Sequence, residues 1–458
     1  MSPPHPNDSP SASDSLNSAY ASAPDQPATA APLDRFPNAT TTFPELMALA
    51  PLGTKETDLG AGPVTTSIFT SLTPAWASGG AWSAFGGHVY AQSFWAAAQT
   101  VGDGLVMTNT HGFFTLPGQT DRPFVYFVTP VAESRTISIR SVTVRQPKEA
   151  SVRGDLEGFK VEDGRAELGG VCFHGVASFK IPAAAESRHQ EVKDWVSEYQ
   201  DALPLAAAAR AAAASASPID PSRLPTCPDV DTPWYAEVIK HYPEHRTFPG
   251  LDIRKADLSR RNAPAAPLAW RQLNYYRAVG SLPPHLPNLH CAAHLYASDR
   301  NSLFLISHAM GFGNKLAKIA SLCHSVQFHT GSAGLLLDPE PRAPQQAVAI
   351  TESGDAAAVH GNANLPDARG WFVQEAWSPR SGEQRGLHES KIWSPEGEHI
   401  ATTFQDGLVK KAEGGRKRMF EEVIKRFDGD GKPAAKVEAD EVIGRERERK
   451  FGRPVPKL

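Results

Sequence analysis

The stretch "HLYASDRNSL", residues 294–303, sets one carboxylate, Asp299, inside a run that otherwise reads as a small, apolar helix. If the helix starts at Leu289, with Pro287 and Asn288 as stop and cap, Leu289, Ala292, Ala293, Tyr296 and Leu303 share one face. Asp299 and Arg300 then fall on the two margins of that stripe. A carboxylate in this position is either a partly solvated boundary residue or a buried group that is paired, hydrogen-bonded or functional. In the second case its chemistry is proton transfer, because an ionised, partly desolvated carboxylate accepts a proton from a bound water.

Other reactive side chains form weaker patterns. His290, Cys291 and His294 suggest a metal, but both histidines face away from the apolar stripe and no further ligand cluster lies nearby, so no metal is expected. A serine-hydrolase reading lacks any G-x-S-x-G. "GFGNKL" from Gly311 lacks the third glycine of a dinucleotide fingerprint, and "DGDGKP" from Asp428 has Pro433 where a calcium loop needs glycine. His88 in "FGGH" suggests a dehydratase histidine, although a histidine directly after a glycine pair is more often structural.

These residues sit in a chain of 458 residues, long enough for two or three ordinary domains. A net charge of −4 and a pI near 6.5 argue against a nucleic-acid binder or a polybasic membrane protein. No apolar run approaches the roughly 20 residues of a membrane span. The first 40 residues are Ser/Pro/Ala-rich, unlike a secretion signal, and are expected to be disordered. Cys172, Cys227, Cys291 and Cys323 show no C-x-x-C spacing, which fits free, mostly buried thiols in a reducing compartment.

One plan occurs twice along the chain. "FGGHVYAQSFWAAAQT" from Phe85 reads as a helix apolar on nearly every face, hence buried. Strands follow at "TNTHGFFTL" from Thr108, "PFVYFVTPV" from Pro123, "TISIRSVTVRQ" from Thr136 and "VCFHGVASFKI" from Val171. In the third, the slip from Ile137 and Ile139 to Val142 and Val144 suggests a bulge. The second half repeats the order: "NLHCAAHLYASDRNSL", then "SLCHSVQFH" from Ser321, "WFVQEAWSP" from Trp371, "GLHESKIWSP" from Gly386 and "HIATTFQDGLV" from His399. An Ala-rich connector, Leu205 to Ser217, divides the halves, and about 338–370 reads as an insertion loop. The pattern predicts α+β units at 41–182 and 233–412, joined by a connector at 183–232 and followed by a charged tail at 413–458. Two unrelated α+β domains would leave the same periodicity.

The segments "FGGHVYAQSFWAAAQTV", "HGFFTLPGQTDRPFVYFV", "SVTVRQ", "LYASDRNSL", "IASLCHSVQFH" and "TTFQDGLVK" resemble, in order, the acyl-CoA thioesterase II (TesB-type) family. The likeness runs from about Phe85 to Lys410, interrupted by the connector and the loop. It implies a double hotdog, in which two fused units each have a long buried helix wrapped by a curved antiparallel sheet. It also implies hydrolysis of medium- to long-chain fatty acyl-CoA to fatty acid and CoA without a cofactor. The family's water-holding Asp, Thr and Gln fall on Asp299, Ser321 and Gln405. Ser at 321 keeps the hydroxyl but lacks the methyl that stiffens a Thr rotamer. Cys323 stands where the family commonly has an acid.

Gly86 and Gly87 allow close backbone approach, either for packing or for the pantetheine arm. With His111 and His324 they complete the expected substrate-binding set. Superposing His111 on His324 and Phe179 on Phe404 puts Thr108 at the place of Ser321 and Lys180 at that of Gln405, so the first half reads as catalytically silent. The competing function is a catalytically weak or inactive acyl-CoA-binding protein. A homo-oligomer is expected from the family. The final Pro456, Lys457 and Leu458 resemble a peroxisomal import signal, with the cytoplasm as the other location.

Overall fold

The computed structural model describes residues 41–58, 62–77, 83–151, 158–183, 189–203, 221–227, 248–313, 316–331, 333–337, 347–350, 356–359 and 370–411. The first 40 residues, the Ala-rich tract at 205–217 and the tail from residue 412, with Pro456–Leu458, lie outside the described residues.

In the first half, a one-turn helix α1 (Phe43–Leu46) precedes β1 (Leu49–Asp58), β2 (Pro63–Ser71), the helix α2 (Gly86–Ala98), β3 (Val106–Phe114), β4 (Val125–Glu133), β5 (Ile137–Pro147) and β6 (Leu168–Lys180). A short helix α3 (Trp195–Tyr199) leads to β7 (Leu251–Lys255), α4 (Ser259–Asn262) and β8 (Gln272–Ala278). The helix α5 (Pro287–Ser298), α6 (Ser302–Ala309) and β9 (Leu316–Phe328) follow. A small hairpin of β10 (Ala347–Ile350) and β11 (Ala356–Val359) precedes β12 (Phe372–Gly382), β13 (Arg385–Trp393) and β14 (His399–Lys411). The hairpin falls inside the expected insertion loop of about 338–370, most of which lies outside the described residues. Among the described residues it pairs only with itself, so two short Ala- and Val-containing runs satisfy each other's backbone.

Twelve strands form one antiparallel sheet in the order β1-β2-β4-β5-β6-β3-β9-β14-β13-β12-β8-β7. The order is the same from either end once each half is numbered from its own first strand, so two copies of one unit meet where β3 pairs with β9. This is the double hotdog arrangement. The helices α2 and α5 lie against each other inside it, each buried on nearly all faces. Tyr90 and Phe94 of α2 are wholly buried and pack edge to face, and a side chain of that size contributes about 1.5–3 kcal/mol when taken out of water. The two helices run antiparallel. Asn288, near the start of α5, reaches the start of β3, donating to Leu105 O and accepting from Met107 N, while the start of α2 meets the end of α5.

Four outer strands, β1, β2, β7 and β8, are absent from the sequence reading. β8, "QLNYYRA", buries Gln272 and Asn274 and so breaks the alternation by which a half-buried strand is recognised. The expected bulge in β5 is also displaced. β5 alternates without a slip, with Ser138, Arg140, Val142 and Val144 inward. The irregularity lies in its partner β4, between Pro130 and Ala132. Ile137 and Ile139 belong to the outward row, so their apolar character misled the register.

The expected helix through Leu303 is two helices. α5 stops with Asp299 as its C-cap, and Asn301 turns the chain with φ 62°, a left-handed conformation that Asn tolerates better than most residues. α6 then lies across the second half of the sheet. It fits because Gly386 and Gly407 leave room: a Cβ on Gly407 would stand 2.3 Å from Leu303 Cδ2, and one on Gly386 2.4 Å from Ile306 Cγ2. His290 and His294, expected to face away from the core, are fully buried and bonded. His294 joins Tyr276 Oη at 2.7 Å and Leu335 O at 2.8 Å, while His290 accepts from Leu337 N and meets Pro283 O.

Candidate active site

Asp299 is held where α5 ends, and the break in the helix points its carboxylate toward the sheet. Its side chain meets Gln405 of β14, whose Nε2 donates to Asp299 Oδ1 at 2.5 Å and to Ser321 Oγ at 2.7 Å. Ser302 Oγ, on the first residue of α6, donates to Asp299 O at 3.0 Å and lies 3.2 Å from Oδ1. The backbone N–H of Gly87, in the first turn of α2, also bonds to the carboxylate. That N-terminus favours a negative charge, since its first N–H groups have no partner within the helix.

A bulge brings Ser321 into this group. Gln405 opposes His324 and Asp406 opposes Cys323, but Gly407 opposes Ser321, so Leu322 is the extra residue. Strict alternation would turn Ser321 outward with Cys323. The extra residue returns it to the inner face beside Gln405.

Asp299 is 6% exposed, and burial pushes its carboxyl up to about 6. The hydrogen bonds from Gln405, Gly87 and Ser302, together with the charge of Arg300, oppose that rise. Arg300 lies over the rings of Trp76 and Phe248 and donates to Cys227 O. The carboxylate is thus desolvated enough to be basic and bonded enough to ionise at neutral pH.

Gly86 and Gly87 stand directly against it. A Cβ on Gly86 would lie 3.1 Å from Asp299 Oδ2, and one on Gly87 would lie 2.9 Å from Asp299 Cβ. His324 is buried behind Gln405, with Nε2 2.9 Å from Ser298 Oγ and its ring 4.6 Å from that of Tyr90. His111 is not part of the group. It projects from the opposite, solvent-facing side of the sheet, bonded to Ser325 Oγ and packed on Phe113. Its place in the expected substrate-binding set is therefore corrected, for a strand's neighbouring residues alternate faces and His111 is paired with Ser325, not His324.

The same pairing corrects the superposition of the halves. The bulge in β3 falls at Thr108, so Thr108 matches Leu322 rather than Ser321. Met107 then stands at the place of Ser321, Ala177 at that of Gln405, and Gln99, the C-cap of α2, at that of Asp299. Of these three first-half positions only Gln99 carries a polar side chain, and none carries a carboxylate or a hydroxyl.

Cys323 also faces outward, where Asp406, opposite it, pairs with Arg385. His88 is wholly buried between the rings of Phe124 and Tyr296, and burial lowers it to about 4. All four cysteines are free, three of them buried. No helix among the described residues is long and apolar enough to cross a membrane.

The acyl-CoA thioesterase N-terminal domain model matches residues 72–179 and the corresponding C-terminal domain model matches residues 357–409, in the order of the two sheet halves. These two matches support a TesB-type acyl-CoA thioesterase II. A relative from Haemophilus influenzae, acyl-CoA thioesterase 2, is 24% identical over 333 residues, covering 72% of this chain and 88% of that protein. A crystal structure of an acyl-CoA thioesterase II from Mycobacterium marinum covers 82% of this chain and 99% of its own, at 21% identity and a TM-score of 0.47. One titled as a putative thioesterase II from Thermobifida fusca covers 81% of this chain and 98% of its own, at 10% identity and a TM-score of 0.47. The domain matches and the Haemophilus influenzae relative support a thioester hydrolase acting on acyl-CoA.

Proposed function

We propose that the chain hydrolyses medium- to long-chain fatty acyl-CoA with a water activated by Asp299, Ser321 and Gln405. The observation that carries this reading is the double donation of Gln405 Nε2, which ties the buried carboxylate and the hydroxyl into one rigid group. Thioesters are activated toward attack, so a positioned water and a base suffice, and general-base help is worth about 10²–10⁴-fold. Asp299 takes one proton as the water oxygen bonds to the carbonyl carbon. The Ser321 hydroxyl holds that oxygen in line, and Gln405 acts by fixing Ser321 and Asp299 relative to each other. We assign the N-terminus of α2 to the developing oxyanion, with the Gly86 amide as donor. Collapse breaks the C–S bond, and the thiolate leaves with the proton that Asp299 carried.

Two expectations follow from Ser321. Ser321→Thr keeps the hydroxyl and is expected to hold kcat within about threefold, since only the rotamer is stiffened. Ser321→Ala removes one anchor of the water and is expected to lower kcat about 10- to 100-fold. Steady-state rates with one substrate measure both. An alanine variant as fast as the parent removes Ser321 from the reaction.

The other reading is an acyl-CoA binder that has lost activity through Ser321, Cys323 or the insertion. The outward direction of Cys323 and the inward one of Ser321 favour hydrolysis. Thiol release from acyl-CoAs ranging from acetyl to palmitoyl decides between them. The expected result is release that rises with chain length. Binding without thiol release overturns the enzymatic reading.

A further inference from the structure

A side-chain amide has two ends, and only one of them suits Asp299. Gln405 uses Nε2 toward both Asp299 Oδ1 and Ser321 Oγ, which commits its two protons. A flip would set Oε1 against the carboxylate oxygen and lose both bonds. The orientation therefore needs a partner that accepts only the present arrangement, and that partner has to be a donor to Oε1.

His324 directly opposes Gln405 in the β9–β14 pairing, on the same inner face. Gln405 is fully buried and His324 nearly so. Gln405 Oε1 and His324 Nδ1 are both buried atoms without a closed hydrogen bond among the described residues. The other ring nitrogen, Nε2, is occupied by Ser298 Oγ at 2.9 Å, and Tyr90 packs on the ring from α2. The ring cannot turn away without giving up both contacts.

We propose, resting on the water-activating role given above to Gln405, that His324 is a positioning residue: its Nδ1–H faces Gln405 Oε1 and holds the amide with Nε2 toward Asp299. A neutral imidazole carries one proton. Burial lowers His324 to about 3 with help from His388 and His111, while the Gln405 amide opposes that shift, as an acceptor beside the ring does. His388 is likewise buried and lowered to about 3, so no charged ring competes at neutral pH. With Nδ1 bearing the proton, Nε2 accepts from Ser298 Oγ, which can turn its proton from Leu295 O to the ring. A proton on Nε2 instead would set two lone pairs, Nδ1 and Oε1, against each other in the interior.

The first half contains no such pair. Its matching positions are Thr110 and Ala177, and Thr110 spends its hydroxyl on Tyr90 at 2.8 Å. The buried histidine thus belongs to the half that carries Asp299.

His324→Phe keeps the ring's volume and removes the donor. It is expected to lower kcat about 10- to 100-fold, with KM within about twofold, because it loosens the water's anchors and not the substrate's. The acid limb of the kcat/KM profile is expected to move to higher pH, as Asp299 loses part of the Gln405 bond that lowers it. The deciding measurement is the same change made in a Gln405→Met background, where it is expected to alter kcat less than about twofold. A full 10-fold further loss there, or a rise in KM at constant kcat, overturns the proposal. If His324→Phe does not fold, the ¹⁵N shifts of the His324 ring itself, assigned through its own backbone in the parent enzyme, decide alone, because His308 already donates from Nδ1 to Phe304 O. A His324 ring protonated at Nδ1 supports the assignment, and one protonated at Nε2 overturns it. Should Gln405→Met itself leave kcat unchanged, the water-activation reading fails. A damaging Gln405→Met beside a harmless His324→Phe removes only the role of His324.

Discussion

Asp299→Asn is expected to cut kcat about 10³-fold and, in the same protein, to raise the free energy of unfolding at pH 8. The loss of rate follows from removing the only base in the group. The gain in stability follows from burial. Asp299 has its carboxyl at about 6 in the fold against 3.8 for the free side chain. Between those values the folded chain holds a proton that the unfolded chain has released, so this carboxyl makes stability fall as pH rises from about 4 to about 6. Above that window the cost is complete, on the order of 3 kcal/mol for a shift of this size. Asn never ionises and escapes it. Asn also places an NH₂ where Gly87 N–H or Gln405 Nε2 donates, which returns part of the gain.

The net expectation is about 1–2 kcal/mol more stability at pH 8 and close to none at about pH 3, below both values, where the folded and the unfolded carboxyl are largely protonated. Urea unfolding at the two pH values measures it. The parent's kcat/KM should fall on the acid side with an apparent pKa near 6, and that limb should be absent from whatever activity the variant keeps. Unchanged turnover would remove Asp299 as the base. A variant equally destabilised at both pH values would show that Asp299 is a structural cap.

The long buried helices and eight of the central strands were legible because their signals are local. "FGGHVYAQSFWAAAQT" is apolar on every face, and strands such as β13 alternate along their own length. What escaped depends on pairing. Whether Ser321 faces in or out turns on a residue, Leu322, that is extra only relative to β14. The same dependence placed His111 on the wrong face and matched Lys180, instead of Ala177, to Gln405. Asp299 stood out in the sequence as a charge in an apolar run, yet its setting rests on the left-handed turn at Asn301 and on Gly407, neither of which carries a hydrophobic signal. His324 looked like a contact for substrate because the sequence cannot show that its ring is closed in by Tyr90 and Ser298.

Gly87→Ala is expected to lower kcat about 10²-fold, by moving Asp299 and not by altering any reacting group. The added methyl would stand 2.6 Å from Phe85 Cε1 and 2.9 Å from Asp299 Cβ. The Phe85 ring is set edge-on against Trp76, Phe248 and Tyr296 and has little room to move. Asp299 Cβ is tied to the C-cap of α5, so either the carboxylate shifts or the start of α2 lifts away from it. In both cases the Gly87 N–H bond to the carboxylate weakens. Overpacking of this kind costs about 1–3 kcal/mol of stability as well. Gly86→Ala acts differently, since its methyl would sit 3.1 Å from Asp299 Oδ2 and shield the oxygen left open by Gln405. It is expected to push the acid limb of kcat/KM to higher pH, because desolvation raises a carboxyl. Gly169→Ala serves as the control: its Cβ would meet Gln146 O at 3.5 Å, an ordinary contact, and kcat should not change. If Gly87→Ala matches that control, the glycine pair is there for helix packing, and the close approach of α2 to Asp299 has no part in the reaction.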